Sequence, residues 1–152
     1  MNIKIGGLQR KEVILLLQEH KNDMQLHSPA ESVHALDLSG LKNSDVTFWS
    51  VWINHELAGC GALKELNKTQ GEIKSMRTSI NHLRKGVADN LLNHILKEAT
   101  KRSYKELSLE TGTKDVFLPA QQLYKKYGFY TCGPFGNYTE DPYSTFMTKI
   151  LE

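Results

Sequence analysis

The sequence predicts an α/β fold with a mixed, mainly antiparallel sheet of about seven strands flanked by about four helices. Three observations predict it. Three strand-like runs follow one another between Thr47 and Thr78, separated only by short polar breaks. After Gly86, apolar residues fall in two adjoining rows at helical spacing. Beyond that helix, strand-like and helix-like segments alternate toward the C-terminus. At 152 residues the chain has the length of one ordinary domain, so a single domain over residues 1–152 is expected.

Asn2 to Ile5 alternates polar and apolar and reads as a short strand; the leucine-rich stretch Lys11 to Glu19 reads as a helix with a broad buried face. Ser28-Pro29-Ala30-Glu31 supplies a cap residue, a proline at the first helical position and a glutamate three after the cap, which predicts a second helix running to about Leu38. Thr47 to Ile53 and Leu57 to Leu66 form a hairpin around Asn54-His55-Glu56, and Glu72 to Thr78 adds a third strand. In the next helix one row is Val87, Leu91 and Ile95, the other Ala88, Leu92, Leu96 and Ala99. Lys105 to Glu110 is a strand, Pro119 to Tyr127 a short helix stopped by Gly128, and Phe129 to Cys132 and Ser144 to Ile150 are the last strands.

Composition narrows the functional classes. No apolar run approaches the roughly 20 residues that cross a bilayer, so no membrane span is expected. Met1 to Gly7 lacks the apolar stretch of a signal peptide, and Cys60 and Cys132 lie far apart in no CxxC spacing, so a reducing cytoplasm fits. The formal charge is +2 with cations spread among acidic residues, which gives no reason to expect nucleic acid as a partner. None of the six histidines forms HxH or HExxH spacing, so no metal is expected. Cys60, in an apolar strand without a local base, reads as a packed thiol.

Two units carry chemistry. In the first, a strand runs into Leu83-Arg84-Lys85-Gly86-Val87-Ala88 and then into the amphipathic helix. A helix start presents unpaired N–H donors and about half a positive charge, and a small residue lets an anion approach the backbone. With Arg84 and Lys85 beside it, the turn suits a diphosphate, although the same residues also suit a plain strand-to-helix turn with two solvated cations. Neither GxxxxGK[ST] nor GxGxxG is present. In the second unit, Ala120 to Phe129, Leu123 and Tyr127 share a helical face and belong in a core. Tyr124 sits beside that row; its phenol, with an ordinary pKa of about 10, stays protonated at neutral pH and can donate to a leaving thiolate.

The strand, the LRKGVA turn, the long helix, a further strand and A-x-x-L-Y-x-x-x-G-F together resemble the GNAT acetyltransferases, whose signature is [QR]-x-x-G-x-[GA] followed by such a tyrosine helix. The motifs cover Glu72 to Phe129, and the inferred element order extends the likeness along the chain. The resemblance implies a GNAT-like fold and an acetyl-CoA-dependent N-acetyltransferase, with direct attack by an amine on the bound thioester. It implies that acetyl-CoA's diphosphate sits on Arg84, Lys85, Gly86, Val87 and Ala88, and that its pantetheine pairs with the strand end Met76, Arg77 and Thr78. Tyr124 matches the family's general acid. Leu83 stands where the family usually has Gln or Arg, and Phe117 where an asparagine often contacts the cofactor.

An amine with pKa of about 10 must lose a proton before it attacks, so a carboxylate base is expected. Glu72, on the strand before the cradle, is the first candidate and Glu110, on the following strand, the second. The turn-rich segment Gly133 to Ser144 is a candidate pocket wall, from which Tyr138 and Asp141 would meet the acceptor together with Trp49 and Trp52 of the hairpin. Residues His27 to Leu38 are another candidate wall. The acceptor is expected to be a primary amine on a small molecule, peptide or protein, and a homodimer fits the family's habit. O-acetyl transfer and a non-catalytic acyl-CoA-binding module are the alternative readings.

Overall fold

A computed structural model describes residues 1–152. Its strands are β1 (Asn2–Ile5), β2 (Val46–Ile53), β3 (Glu56–Asn67), β4 (Gln70–Thr78), β5 (Glu106–Gly112), β6 (Tyr130–Cys132) and β7 (Ser144–Ile150). The helices are α1 (Lys11–His27), α2 (Leu38–Leu41), α3 (Val87–Lys101) and α4 (Leu118–Lys126). All seven strands join one sheet in the order β1-β2-β3-β4-β5-β7-β6, antiparallel except for the parallel β4–β5 pair. The mixed, mainly antiparallel sheet expected from the sequence is therefore the one found.

The hairpin turn works because Asn54 and His55 both adopt positive φ, 49° and 68°, the backbone that a tight two-residue turn with the right twist requires. α3 buries Val87, Leu91, Leu92, Ile95 and Ala99 against Leu63, Leu107, Leu109 and Met147 on one face of the sheet. On the opposite face α1 packs Val13 and Leu16 against Phe48, Trp52, Cys60 and Ala62. Each element thus buries one stripe, and the sheet is the middle layer.

Two expectations are corrected. The first helix runs beyond Glu19 to His27, because its third and fourth turns have tertiary work: Glu19 and Asp23 both bind Arg77 of β4. The second helix, expected from Ser28 to Leu38, does not form. A single 3-10 turn, Ala30–Ser32, is followed by non-helical chain until Asp37 caps the four-residue α2 through Gly40 N–H. The cap-and-proline pattern started a turn, but Ser32 is drawn into a bond to Asp141, 109 residues away, and tertiary contact overrides the local signal.

The sheet is opened in its middle. β4 and β5 pair only from Gln70↔Glu106 to Ile73↔Leu109. Beyond that, Ser75 takes φ 56° and the β3–β4 register shifts between Cys60 and Ala62, the signature of a bulge that re-aims the strand. From Lys74 onward β4 is paired only with β3, and from Glu110 onward β5 only with β7. Two strand edges therefore face each other across a gap.

Candidate active site

That gap is a cavity of about 600 Å³. Lining it are Glu72 to Thr78 of β4, Glu110 to Gly112 of β5, Leu83, Val87, Ala88 and Leu91 at the start of α3, and Leu123 and Tyr124 of α4. α1, the stretch from Ser28 to Ala35, and Tyr138 close the other side. It runs from the α3 N-terminus, through the strand gap, to a group of polar side chains on the α1 face.

At the α3 end, Gly86 has φ 80° and precedes the first helical residue, and Asn90 N–H is the first to find a helical acceptor, the Gly86 carbonyl. The N–H groups of Val87, Ala88 and Asp89 are left without one. Asp89 would place a negative charge at this anion-binding end, but Lys126 Nζ at 2.6 Å and the Tyr127 hydroxyl at 3.1 Å engage its carboxylate and hold its pKa below the usual value. Arg84 and Lys85 are exposed beside the turn rather than in the cavity wall, and Lys85 Nζ lies 3.3 Å from His82 Nδ1. Leu83, in place of a polar residue, adds an apolar side chain to the wall.

Tyr124 of α4 lines the cavity, 6% exposed, its ring edge-on to Phe129 at 5.6 Å. Burial pushes its phenol well above the usual range, so the proton stays on. Met76, Arg77 and Thr78 line the cavity from the β4 edge. The Arg77 side chain is committed elsewhere, Nη1 to Asp23 at 2.7 Å and Nη2 to Glu19 at 2.8 Å, which leaves the backbone as the part of Arg77 open to a ligand.

At the α1 face, Tyr138 donates its hydroxyl to Glu72 Oε2 at 2.5 Å and accepts from Lys74 Nζ at 2.9 Å, and Lys74 also bonds Glu72 at 3.1 Å. Glu72 is 3% exposed, and these two donors occupy it. Glu110 reaches the same space from β5 without a salt bridge, and burial raises its pKa to about 7 against the opposing pull of the Ser144 hydroxyl and the Lys74 charge, with the charges of Glu72 and Asp141 adding to the rise. The sequence put Glu72 and Glu110 on consecutive strands; the short parallel pairing brings both to this end of the cavity.

The acceptor-side expectations divide. Tyr138 does line the cavity. Asp141 does not; it accepts from the Ser32 hydroxyl at 2.6 Å and from Tyr143 N–H at 2.8 Å, fastening the 133–143 loop to the 3-10 turn. Trp49 is corrected: it is 1% exposed in the core beneath α3, edge-on to His94 at 5.6 Å. Trp52 packs in the α1 layer with Nε1 donating to Ser50 Oγ. An aromatic strand residue is as well suited to a core as to a pocket, and only the sheet's two covered faces decide which. Lys74, His27 and His34 were not foreseen; their sole signal was position on β4 and within the expected wall from His27 to Leu38. Cys60 is a buried thiol bonded to the Ser75 carbonyl, its pKa pushed up to about 12 by burial.

Comparison with known proteins bears on this geometry. The model of the Acetyltransferase (GNAT) family matches residues 14–129. Over 151 residues the chain is 57% identical to a Bacillus subtilis (strain 168) protein, uncharacterized N-acetyltransferase YsnE, covering 99% of this chain and 100% of that one. Over 149 residues it is 50% identical to the Escherichia coli (strain K12) uncharacterized N-acetyltransferase YedL, covering 98% and 94%. Among solved structures, an acyl-CoA N-acyltransferase from Klebsiella pneumoniae superposes with TM-score 0.79 at 26% identity, over 99% of this chain and 97% of the other. A Bacillus subtilis acetyltransferase in complex with CoA shares the fold with TM-score 0.73 at 18% identity, over 99% of both chains.

Proposed function

Given that the chain belongs to the GNAT acetyltransferase family, we propose that it moves the acetyl group of acetyl-CoA to a primary amine in a ternary complex, with the whole chain acting as one domain. The observation that carries this reading is the continuous cavity between the splayed β4 and β5, with an anion-binding helix start at one end and a carboxylate that makes no salt bridge at the other.

The residues fit the cosubstrate. Val87 and Ala88 N–H groups at the α3 start would hold the diphosphate, with Arg84 and Lys85 adding charge from outside. The open β4 edge at Met76 to Thr78 would pair with pantetheine amides as a strand does. Bound acetyl-CoA supplies a thioester activated toward amines.

Among the chain's own groups, Glu110 is the better base. Glu72, the first candidate from sequence, already accepts from the Tyr138 hydroxyl and the Lys74 ammonium, so the carboxylate that an incoming amine would need is occupied. Glu110, titrating at about 7, can take a proton from an alkylammonium near neutral pH. Tyr124 Oη serves the departing sulfur. A thiol with pKa of about 8.5 is a stronger acid than a buried phenol, so a hydrogen bond to sulfur is the larger part of that service than full proton transfer. The two free cysteines suit a reducing cytoplasm.

Glu110→Gln tests the reading. Thiol release with a primary amine should fall by about 100-fold or more at neutral pH, within the range assigned to a positioned base, while acetyl-CoA still raises the melting temperature. Turnover equal to wild type removes Glu110 from the reaction.

A further inference from the structure

The acceptor half of the cavity carries a charge count that narrows the substrate. Its two wall cations are both paired: Lys74 with Glu72 at 3.1 Å, and Arg77 with Asp23 at 2.7 Å and Glu19 at 2.8 Å. Asp23 also faces His27 Nε2 at 3.6 Å. His20 lines the same wall neutral, because burial drops its pKa to about 4. Glu110 alone among the wall carboxylates makes no salt bridge. Among the wall's lysine, arginine and carboxylate side chains Glu110 is thus the one left without an ion partner, which suits a positive group better than a negative one.

Four aromatic rings stand among the other side chains of that half. Phe117 lies directly on Gly112, where a Cβ would come within 2.1 Å of the ring, and His27 of α1 meets it edge-on at 6.1 Å. Opposite, His34 meets Tyr138 edge-on at 5.0 Å. One pair bridges α1 to the end of β5, the other bridges the segment after α1 to the 133–143 loop. All four rings line the cavity.

We propose that the acceptor is a primary monoamine on a compact aromatic body, an arylalkylamine, whose ring is flanked by the His27–Phe117 and His34–Tyr138 pairs while its amine meets Glu110. The proposal rests on the acetyl-transfer reading. A diamine would set its second ammonium among rings with no free carboxylate. An amino acid's carboxylate would have to displace Glu72 from Lys74 or Asp23 from Arg77, which costs more than an aromatic contact returns, and an aminoglycoside brings several ammonium groups to a wall with one carboxylate that lacks an ion partner.

The experiment measures thiol release from acetyl-CoA by the full chain with phenethylamine, putrescine, β-alanine and kanamycin as probes. The expected result is kcat/KM for phenethylamine at least about tenfold above each of the others. A higher value for any of the other three overturns the proposal. Melting of the protein saturated with desulfo-CoA gives the ranking without turnover: phenethylamine should raise the midpoint most, and equal or larger shifts with putrescine or β-alanine overturn it. Failure of the acetyl-transfer reading shows separately, as no thiol release with any amine although the melting ranking is as expected. His34→Ala should raise KM for phenethylamine by about 3- to 10-fold, the worth of an aromatic contact, with KM for acetyl-CoA unchanged; an unaltered KM removes the His34–Tyr138 pair from the ring site.

Discussion

Burial shifts Glu110 and Tyr124 in the direction that the proposed reaction asks of each. With Glu110 as base, kcat/KM should rise with pH through about 7 and level off above it, and Glu110→Gln should flatten that limb. The same raised pKa has a cost in stability. The native state holds the Glu110 proton more tightly than the unfolded chain does, so this contribution favours folding below pH 4.5 and is lost as pH rises to about 7. Glu110→Gln, which titrates nothing, should therefore gain stability over wild type between pH 5 and pH 8, by up to about 3 kcal/mol, read from denaturant midpoints at the two pH values. A constant difference across that range would mean that Glu110 titrates normally. Tyr124→Phe removes one hydrogen bond to a developing thiolate, worth about 1.5–3 kcal/mol, so kcat should drop by about 10- to 150-fold with KM for acetyl-CoA unchanged. Glu110 was legible as a candidate from residue type and strand position, and Tyr124 from residue type and its match to the family's tyrosine helix. Their ranking was not, because Tyr138 and Lys74, which occupy Glu72, come from 66 residues away and from a strand neighbour whose side chain could have pointed elsewhere.

At the scale of elements, the α3 start and the β5 end depend on backbone that tolerates no larger side chain. Gly86→Val places a β-branched residue at φ 80°, which costs roughly 1–2 kcal/mol and turns the free N–H groups away from their ligand. Acetyl-CoA affinity should fall by more than tenfold, with a modest loss in stability; unchanged affinity would remove the helix start from the cofactor site. Gly112→Ala would drive a methyl into the Phe117 ring and detach the turn that leads into α4, for about 1–3 kcal/mol by equilibrium unfolding. Full stability in that variant would mean that the ring swings freely into the cavity. The sequence predicted a turn at Gly86 from its place between a strand and a periodic helix. Gly112 carried no such signal, since its partner is a phenylalanine in the next turn of chain rather than a motif.

The whole molecule is organised around one break in one sheet. A ligand that binds across β4, α3 and α4 only in the folded state must raise the melting temperature. At 100 times its dissociation constant acetyl-CoA should stabilise by about 2.7 kcal/mol, on the order of 5–10 °C for a chain of this size, and no shift would remove the cavity as the cofactor site. Periodicity and spacing alone determined the order of the strands, the α3 stripe, the turn at Gly86 and the helix that carries Tyr124, because these are set by residues within a few positions of one another. Tertiary structure decided everything that depends on distant partners: that residues 28–38 hold a turn rather than a helix, that Trp49 belongs to the core, and that Asp141 ties loops together instead of meeting substrate. It also decided that Glu110 is left without a charged partner, since the bulge at Ser75 parts two strands and the other wall charges are paired on the β4 side of the gap, Lys74 with Glu72 and Arg77 with α1.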